Sequence, residues 1–159
     1  MHEALTLAQH GLYSTAPNPR VGCVIVSSNE IVGRGWHERA GQDHAEVRAL
    51  SEAKEKSVDS TAYVTLEPCN HHGRTPPCVD ALLAAKVKRV VVAVLDPDPR
   101  TAGQGVERLR AAGIEVDVGV CANEAFELNI GFMNRQCHGR PFYRLKLATS
   151  LDGRATAPD

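Results

Sequence analysis

His44-Ala45-Glu46, answered farther along by Glu67-Pro68-Cys69-Asn70-His71-His72-Gly73-Arg74-Thr75-Pro76-Pro77-Cys78, is the stretch from which the rest of this 159-residue chain can be read. His44, Cys69 and Cys78 offer one imidazole and two thiolates, a donor set that suits zinc. Three protein ligands leave a fourth tetrahedral position open to water, as in catalytic rather than structural zinc sites. Glu46, two residues from His44, can move protons at that position without binding the metal. Taken singly, each residue reads equally well as a surface histidine or a buried thiol. Their order makes the case: His-Ala-Glu opens a helical stretch, Pro68-Cys69 follows an apolar run, and Cys78 stands where another helix starts. A closed structural site would need a fourth Cys or His. His71 and His72 are the spare candidates, and a loop rich in Gly and Pro leads them away from Cys69.

The pattern H-x-E followed by P-C-x-x-C marks zinc deaminases of nucleobases. Here eight residues, not two, separate Cys69 from Cys78. The longer loop carries Asn70, His71, His72, Arg74 and Thr75, groups suited to holding an anion or a polar heterocycle. The guanidinium fork of Arg74 matches a phosphate. The plainer alternative is a solvated loop.

With His-Ala-Glu upstream and Pro17-Asn18-Pro19-Arg20-Val21-Gly22-Cys23-Val24 near the start, the Cys69 to Cys78 decapeptide resembles the deaminase domain of the RibD family of bifunctional riboflavin-biosynthesis proteins. The resemblance covers roughly residues 1–138, and the long loop is its most specific feature. It implies an α/β, three-layer cytidine deaminase-like fold, a mixed central sheet flanked by helices. It implies one zinc ion per chain on His44, Cys69 and Cys78, with Glu46 as the catalytic carboxylate. Asn18, His37, His71 and Arg74 are then the candidate substrate contacts. The implied reaction is hydrolytic deamination of 2,5-diamino-6-(5-phosphoribosylamino)pyrimidin-4(3H)-one to 5-amino-6-(5-phosphoribosylamino)uracil, with loss of the 2-amino group as ammonia. Two rivals remain: a deaminase of the cytidine, deoxycytidylate or guanine type, and a non-catalytic zinc module partnering a reductase.

Composition bounds these readings. An apolar content of 43% and a charged content of 23% describe an ordinary globular domain with room for a sizeable core. A net charge of −1 gives no general reason to expect nucleic acid or membrane as a partner. One Trp, three Tyr and three Phe are few for stacking single-stranded bases. A small pyrimidine ribose phosphate needs only local cations. Five cysteines, an odd number with two given to metal, argue against a secreted disulfide framework and for the cytoplasm. Neither a signal peptide nor an apolar run of membrane-spanning length is expected.

Taken in order, residues 3–12 have helical apolar spacing. Pro17-Asn18-Pro19 then fixes the backbone, leaving Asn18 either as a turn former or as a rigid donor and acceptor. Residues 21–26 and 31–36 read as an antiparallel hairpin, and Gly33 and Gly35 mark a bulge or a close backbone approach. His37, which lines the site or is simply exposed, leads to a polar loop. A helix spans 45–56, with Asp43 as its expected cap. Strands follow at 61–66, 88–95 and 114–120, and helices at 77–86, 103–112 and 122–134. Asp96-Pro97-Asp98-Pro99 falls at a strand's C-terminal edge, where α/β folds bind ligands. Both ligand segments are expected to begin helices, whose positive ends favour thiolate. Residues 139–159 read as a linker, a strand and a turn that resemble the truncated start of a reductase segment. NADPH is therefore not expected, and association with a second copy or with a reductase stays open.

Overall fold

Ser28 and Asn29, both at positive φ (49° and 64°), turn the chain between two strands whose end residues Ser27 and Glu30 are paired. A two-residue loop with both residues at positive φ matches the right-handed twist of a hairpin. The computed structural model describes residues 1–155. Its elements run α1 (His2–Gln9), β1 (Gly22–Ser27), β2 (Glu30–Trp36), α2 (Ala45–Ala53), a 3-10 turn (Lys54–Ser57), β3 (Thr61–Val64) and α3 (Cys78–Ala84). β4 (Arg89–Val92), α4 (Gln104–Ala111), β5 (Glu115–Val118), α5 (Ala122–Leu128) and α6 (Ile130–His138) complete the order.

The sheet order is β2-β1-β3-β4-β5. β1 is antiparallel to both β2 and β3, whereas β3, β4 and β5 are parallel, so the sheet is mixed as expected. Parallel neighbours need crossovers, and α3 and α4 supply them. Ala45, Ala49 and Ala53 of α2, Val79 and Leu82 of α3, and Val106 and Leu109 of α4 cover one face. They pack on Cys23, Ile25, Ala62, Val64, Val90, Val92 and Val116. Ala4 and Leu7 of α1 cover Val24 on the other face, where Leu5 also meets Ala93 and Ala125. Three layers result.

The glycines of β2 set how close α2 lies. A Cβ at Gly33 would stand 2.1 Å from the Ala49 carbonyl oxygen, and one at Gly35 would stand 2.2 Å from that of Ala45. No side chain fits there, so α2 rests with its backbone on the strand, and its N-terminus is fixed relative to the sheet. A register shift lies between Ile25 and Val26, near Gly33.

Several elements differ from the sequence expectation. α1 stops at Gln9, and Leu12 and Tyr13 are exposed beyond it. Asp43 does not cap α2; His44 holds the N-cap position with extended backbone, and no side chain caps the turn. The last helix is two, broken at Asn129, whose φ and ψ of −113° and 21° are not helical. Residues 141–150 form no strand, because no neighbouring strand pairs with them; Tyr143, Leu145 and Leu147 are exposed. Residues 156–159, within the expected reductase-like segment, lie outside the described residues.

Candidate active site

The metal-ligating candidates converge because three chain segments end at one place. His44 is the N-cap of α2, Cys78 is the first residue of α3, and Cys69 follows the C-terminal end of β3. His44 Nδ1 lies 3.2 Å from Cys78 Sγ and 3.6 Å from Cys69 Sγ. All three donor atoms fall within 4.8 Å of one another. Zinc bonds of about 2.0 Å to nitrogen and about 2.3 Å to sulfur at tetrahedral angles put nitrogen and sulfur roughly 3.6 Å apart. The triad therefore fits a tetrahedral zinc. His71 and His72 stand outside this group, which leaves it three-membered among the described residues.

The electrostatics favour a thiolate-binding cation. The Cys78 backbone N–H, at the start of α3, donates to Cys69 Sγ at 3.3 Å. The Cys78 thiol also donates to Cys69, which draws Cys69 down to about 4 and pushes Cys78 well above the usual thiol range. His44 is raised, chiefly by its hydrogen bond with Cys69. Two sulfurs and an imidazole that compete for protons in this way share a site that a dication satisfies. Glu46, 3% exposed on the first turn of α2, is pushed up to about 7 by burial and by the charge of Cys69.

Glu46, His44 and Cys69 open onto a cavity of about 430 Å³. Asn18, His37, His71 and Arg74 line it too, as do Asp96, Asp98, Arg100, Phe132 and Arg135. Every sequence-predicted site residue except the buried Cys78 thus faces one space. His37 is buried, not exposed. Its Nδ1 lies 3.3 Å from the Asp43 carbonyl and its Nε2 3.1 Å from Asn18 Nδ2. A carbonyl can only accept, so Nδ1 carries the proton and Nε2 accepts from the Asn18 amide. Burial lowers the His37 pKa, which keeps this neutral tautomer. His71 Nδ1 lies 3.3 Å from Thr101 Oγ1, and Arg74 is exposed beside Gly41 at the rim.

Glu67 was not among the sequence candidates. It is 3% exposed, and its carboxylate accepts four backbone N–H groups, from Asp96, Gly103, Gly105 and Val106, at 2.9 to 3.2 Å. This single anion ties the Cys69 segment to the loop that carries Asp96 and Asp98 and to the start of α4. No side-chain pattern announces such a role, because all its partners are main chain.

Similarity to known proteins agrees with this geometry. The family profile described as the cytidine and deoxycytidylate deaminase zinc-binding region matches residues 1–94. The diaminohydroxyphosphoribosylamino-pyrimidine deaminase of Buchnera aphidicola subsp. Schizaphis graminum is 49% identical over 141 residues, covering 89% of this chain and 96% of that protein. The chain belongs to the RibD deaminase family. Riboflavin biosynthesis protein RibD of Escherichia coli K12 is 59% identical over 154 residues, 97% of this chain and 42% of that protein. The structure of RibD from Acinetobacter baumannii superposes with a TM-score of 0.93 at 57% identity, over 96% of this chain and 43% of that one. The chain thus spans about two fifths of the length of these longer RibD relatives. The family's cytidine deaminase-like fold is the three-layer arrangement seen here.

Proposed function

We propose that this chain deaminates 2,5-diamino-6-(5-phosphoribosylamino)pyrimidin-4(3H)-one to 5-amino-6-(5-phosphoribosylamino)uracil, releasing ammonia, a step of riboflavin biosynthesis. The observation that carries the reading is the buried Glu46 carboxyl beside the His44, Cys69 and Cys78 donors, on a cavity walled by the long Cys69 to Cys78 loop. Near-full-length identity to a protein named for this deamination supports the choice of substrate.

His44, Cys69 and Cys78 would hold zinc, which when bound supplies a Lewis acid and a water acidic enough to react near neutral pH. Glu46 takes the proton from the attacking water, its burial making it a better proton acceptor than an exposed carboxylate. Oxygen adds to the amine-bearing ring carbon and Glu46 returns the proton to the ring nitrogen; Glu46 then carries the adduct's hydroxyl proton to the amino nitrogen, and the carbon–nitrogen bond breaks as ammonia leaves and the carbonyl forms. Asn18 has its Nδ2 engaged by His37, which leaves its Oδ1 to accept an N–H of the pyrimidine. Arg74, exposed at the rim of the cavity, is the cation assigned to the substrate phosphate. His71 lines the same wall.

Residues 1–138 form the deaminase domain in this reading, supported by the 141-residue alignment to a deaminase of about that size. The exposed 139–155 segment is then the start of a following unit, and relatives twice as long leave room for a reductase as its partner. Five free cysteines fit a reducing cytoplasm. No described helix is long and apolar enough to cross a membrane.

Ammonia release from the diaminopyrimidine phosphate, measured beside cytidine, deoxycytidylate and guanine, tests the proposal. Turnover of the phosphate alone is expected. Preference for cytidine, deoxycytidylate or guanine would move the chain to another deaminase specificity, and release from none would make it a non-catalytic zinc module.

A further inference from the structure

The break between α5 and α6 puts Asn129 in an unusual position. Its side chain is 1% exposed and lies along the backbone of Arg20. Oδ1 accepts the Arg20 N–H at 2.8 Å, and Nδ2 donates to the Arg20 carbonyl at 2.8 Å. An amide paired both ways with one residue's backbone does what a neighbouring strand would do. Arg20 lies before β1, which begins only at Gly22, so no strand pairs its part-buried N–H and carbonyl and the Asn129 amide does so instead. Six residues farther along, Arg135 of α6 donates from Nη2 to the Pro17 carbonyl at 3.1 Å. Pro17 and Arg20 bracket Asn18 and Pro19. The segment that carries Asn18 is therefore held from both ends, by α6 and by its N-cap residue Asn129, and on the cavity side Asn18 Nδ2 donates to His37.

We infer that Asn129 is a positioning residue for substrate recognition. It holds the Pro17 to Arg20 segment so that the Asn18 amide meets the pyrimidine at the right place and angle, and Arg135 seconds it. The inference rests on the reading of Asn18 as a substrate contact. It makes residues 129–138, beyond the 1–94 region that the family profile matches, part of the recognition apparatus. Asn129 itself touches neither the metal donors nor the cavity.

The test is a double-mutant cycle on kcat/KM for ammonia release, with zinc content and melting temperature measured in parallel. Asn129→Asp keeps the acceptor for the Arg20 N–H but turns an oxygen against the Arg20 carbonyl. It is expected to lower kcat/KM about tenfold to a hundredfold, mostly through KM, with zinc retained. In the Asn18→Ala background the same substitution should change kcat/KM by less than about a factor of two, because the group it positions is gone. An equal loss in both backgrounds, or no loss in the wild type, overturns the inference. If Asn18→Ala alone leaves kcat/KM unchanged, the reading of Asn18 is what fails. Should Asn129→Asp not fold, Arg135→Gln, which replaces the guanidinium that donates to the Pro17 carbonyl at the cavity edge, carries the same cycle. A smaller loss that vanishes in the Asn18→Ala background supports the inference, and a loss of the same size in both backgrounds contradicts it.

Discussion

The Glu67 carboxylate accepts the Gly105 N–H at 2.9 Å, and a Cβ built on Gly105 would stand 2.2 Å from the Pro68 carbonyl oxygen. The start of α4 is thus pressed against the strand end that leads to Cys69. A buried anion with four main-chain donors is stable only while all four remain in place. Glu67→Gln turns an amide N–H toward some of those donors. It is expected to destabilise the protein by about 3 kcal/mol, and Gly105→Ala by about 2 kcal/mol, in urea unfolding of the zinc-loaded protein. Stability unchanged in either variant would mean that the Asp96 to Val106 loop does not depend on this contact.

Gly35 makes a similar demand on α2. Gly35→Ala must lift the helix that carries His44 and Glu46, so a loss of about 2 kcal/mol or more and a fall in activity are expected together. Gly131 is the control, since nothing lies within 4 Å of a Cβ placed there inside α6. Gly131→Ala should leave activity intact and add up to about 1 kcal/mol of stability. Equal behaviour of the two variants would contradict the close approach of α2 to β2.

Glu46→Gln removes the group assigned to proton movement but leaves His44, Cys69 and Cys78 in place. Zinc content should stay at the wild-type level while kcat falls about 100-fold to 10,000-fold. A variant that turns over at the wild-type rate would take Glu46 out of the chemistry.

Burial, with the nearby charges of Asp98 and Glu67, pushes Asp96 up to about 6. Its unfolded value is about 3.9, so the folded chain holds this proton more tightly than the unfolded chain does. The resulting stabilisation is complete below about pH 4 and is lost as pH rises through about 6. Asp96→Asn has no such titration, and its Oδ1 can still accept the Asp98 N–H. Wild-type stability should therefore fall relative to Asp96→Asn between about pH 4 and about pH 7 in unfolding curves taken at successive pH values. Parallel curves would show that Asp96 titrates normally.

How much of this was legible in the chain depends on the kind of signal. The hairpin, the alternating helices and strands, and the mixed sheet follow from apolar period and turn residues, and Gly33 and Gly35 announced a bulge or a close backbone approach without saying that α2 makes it. The His44, Cys69 and Cys78 site was legible because metal donors come as residue types at recognisable spacings. The break at Asn129 was not, since apolar spacing runs through Phe126, Ile130 and Met133 and an Asn does not by itself end a helix. The Asn129 side chain instead pairs with the backbone of Arg20, 109 residues away, a partner that local sequence does not reveal. Glu67 was hidden for the same reason, its partners being main-chain groups distant in sequence. The Phe142 to Leu147 stretch has a strand's alternation, yet a strand needs a neighbour and none is there among the described residues.

The account rests on a single metal seated by His44, Cys69 and Cys78 beside Glu46. Its most direct test is to strip the protein with a chelator and return zinc in measured steps while following ammonia release from the diaminopyrimidine phosphate. Turnover should start near zero, rise in proportion to bound zinc and stop at one zinc per chain, with Cys78→Ser failing to recover at the same zinc additions. Full turnover in the stripped protein, or recovery that ignores the loss of Cys78, would contradict the account.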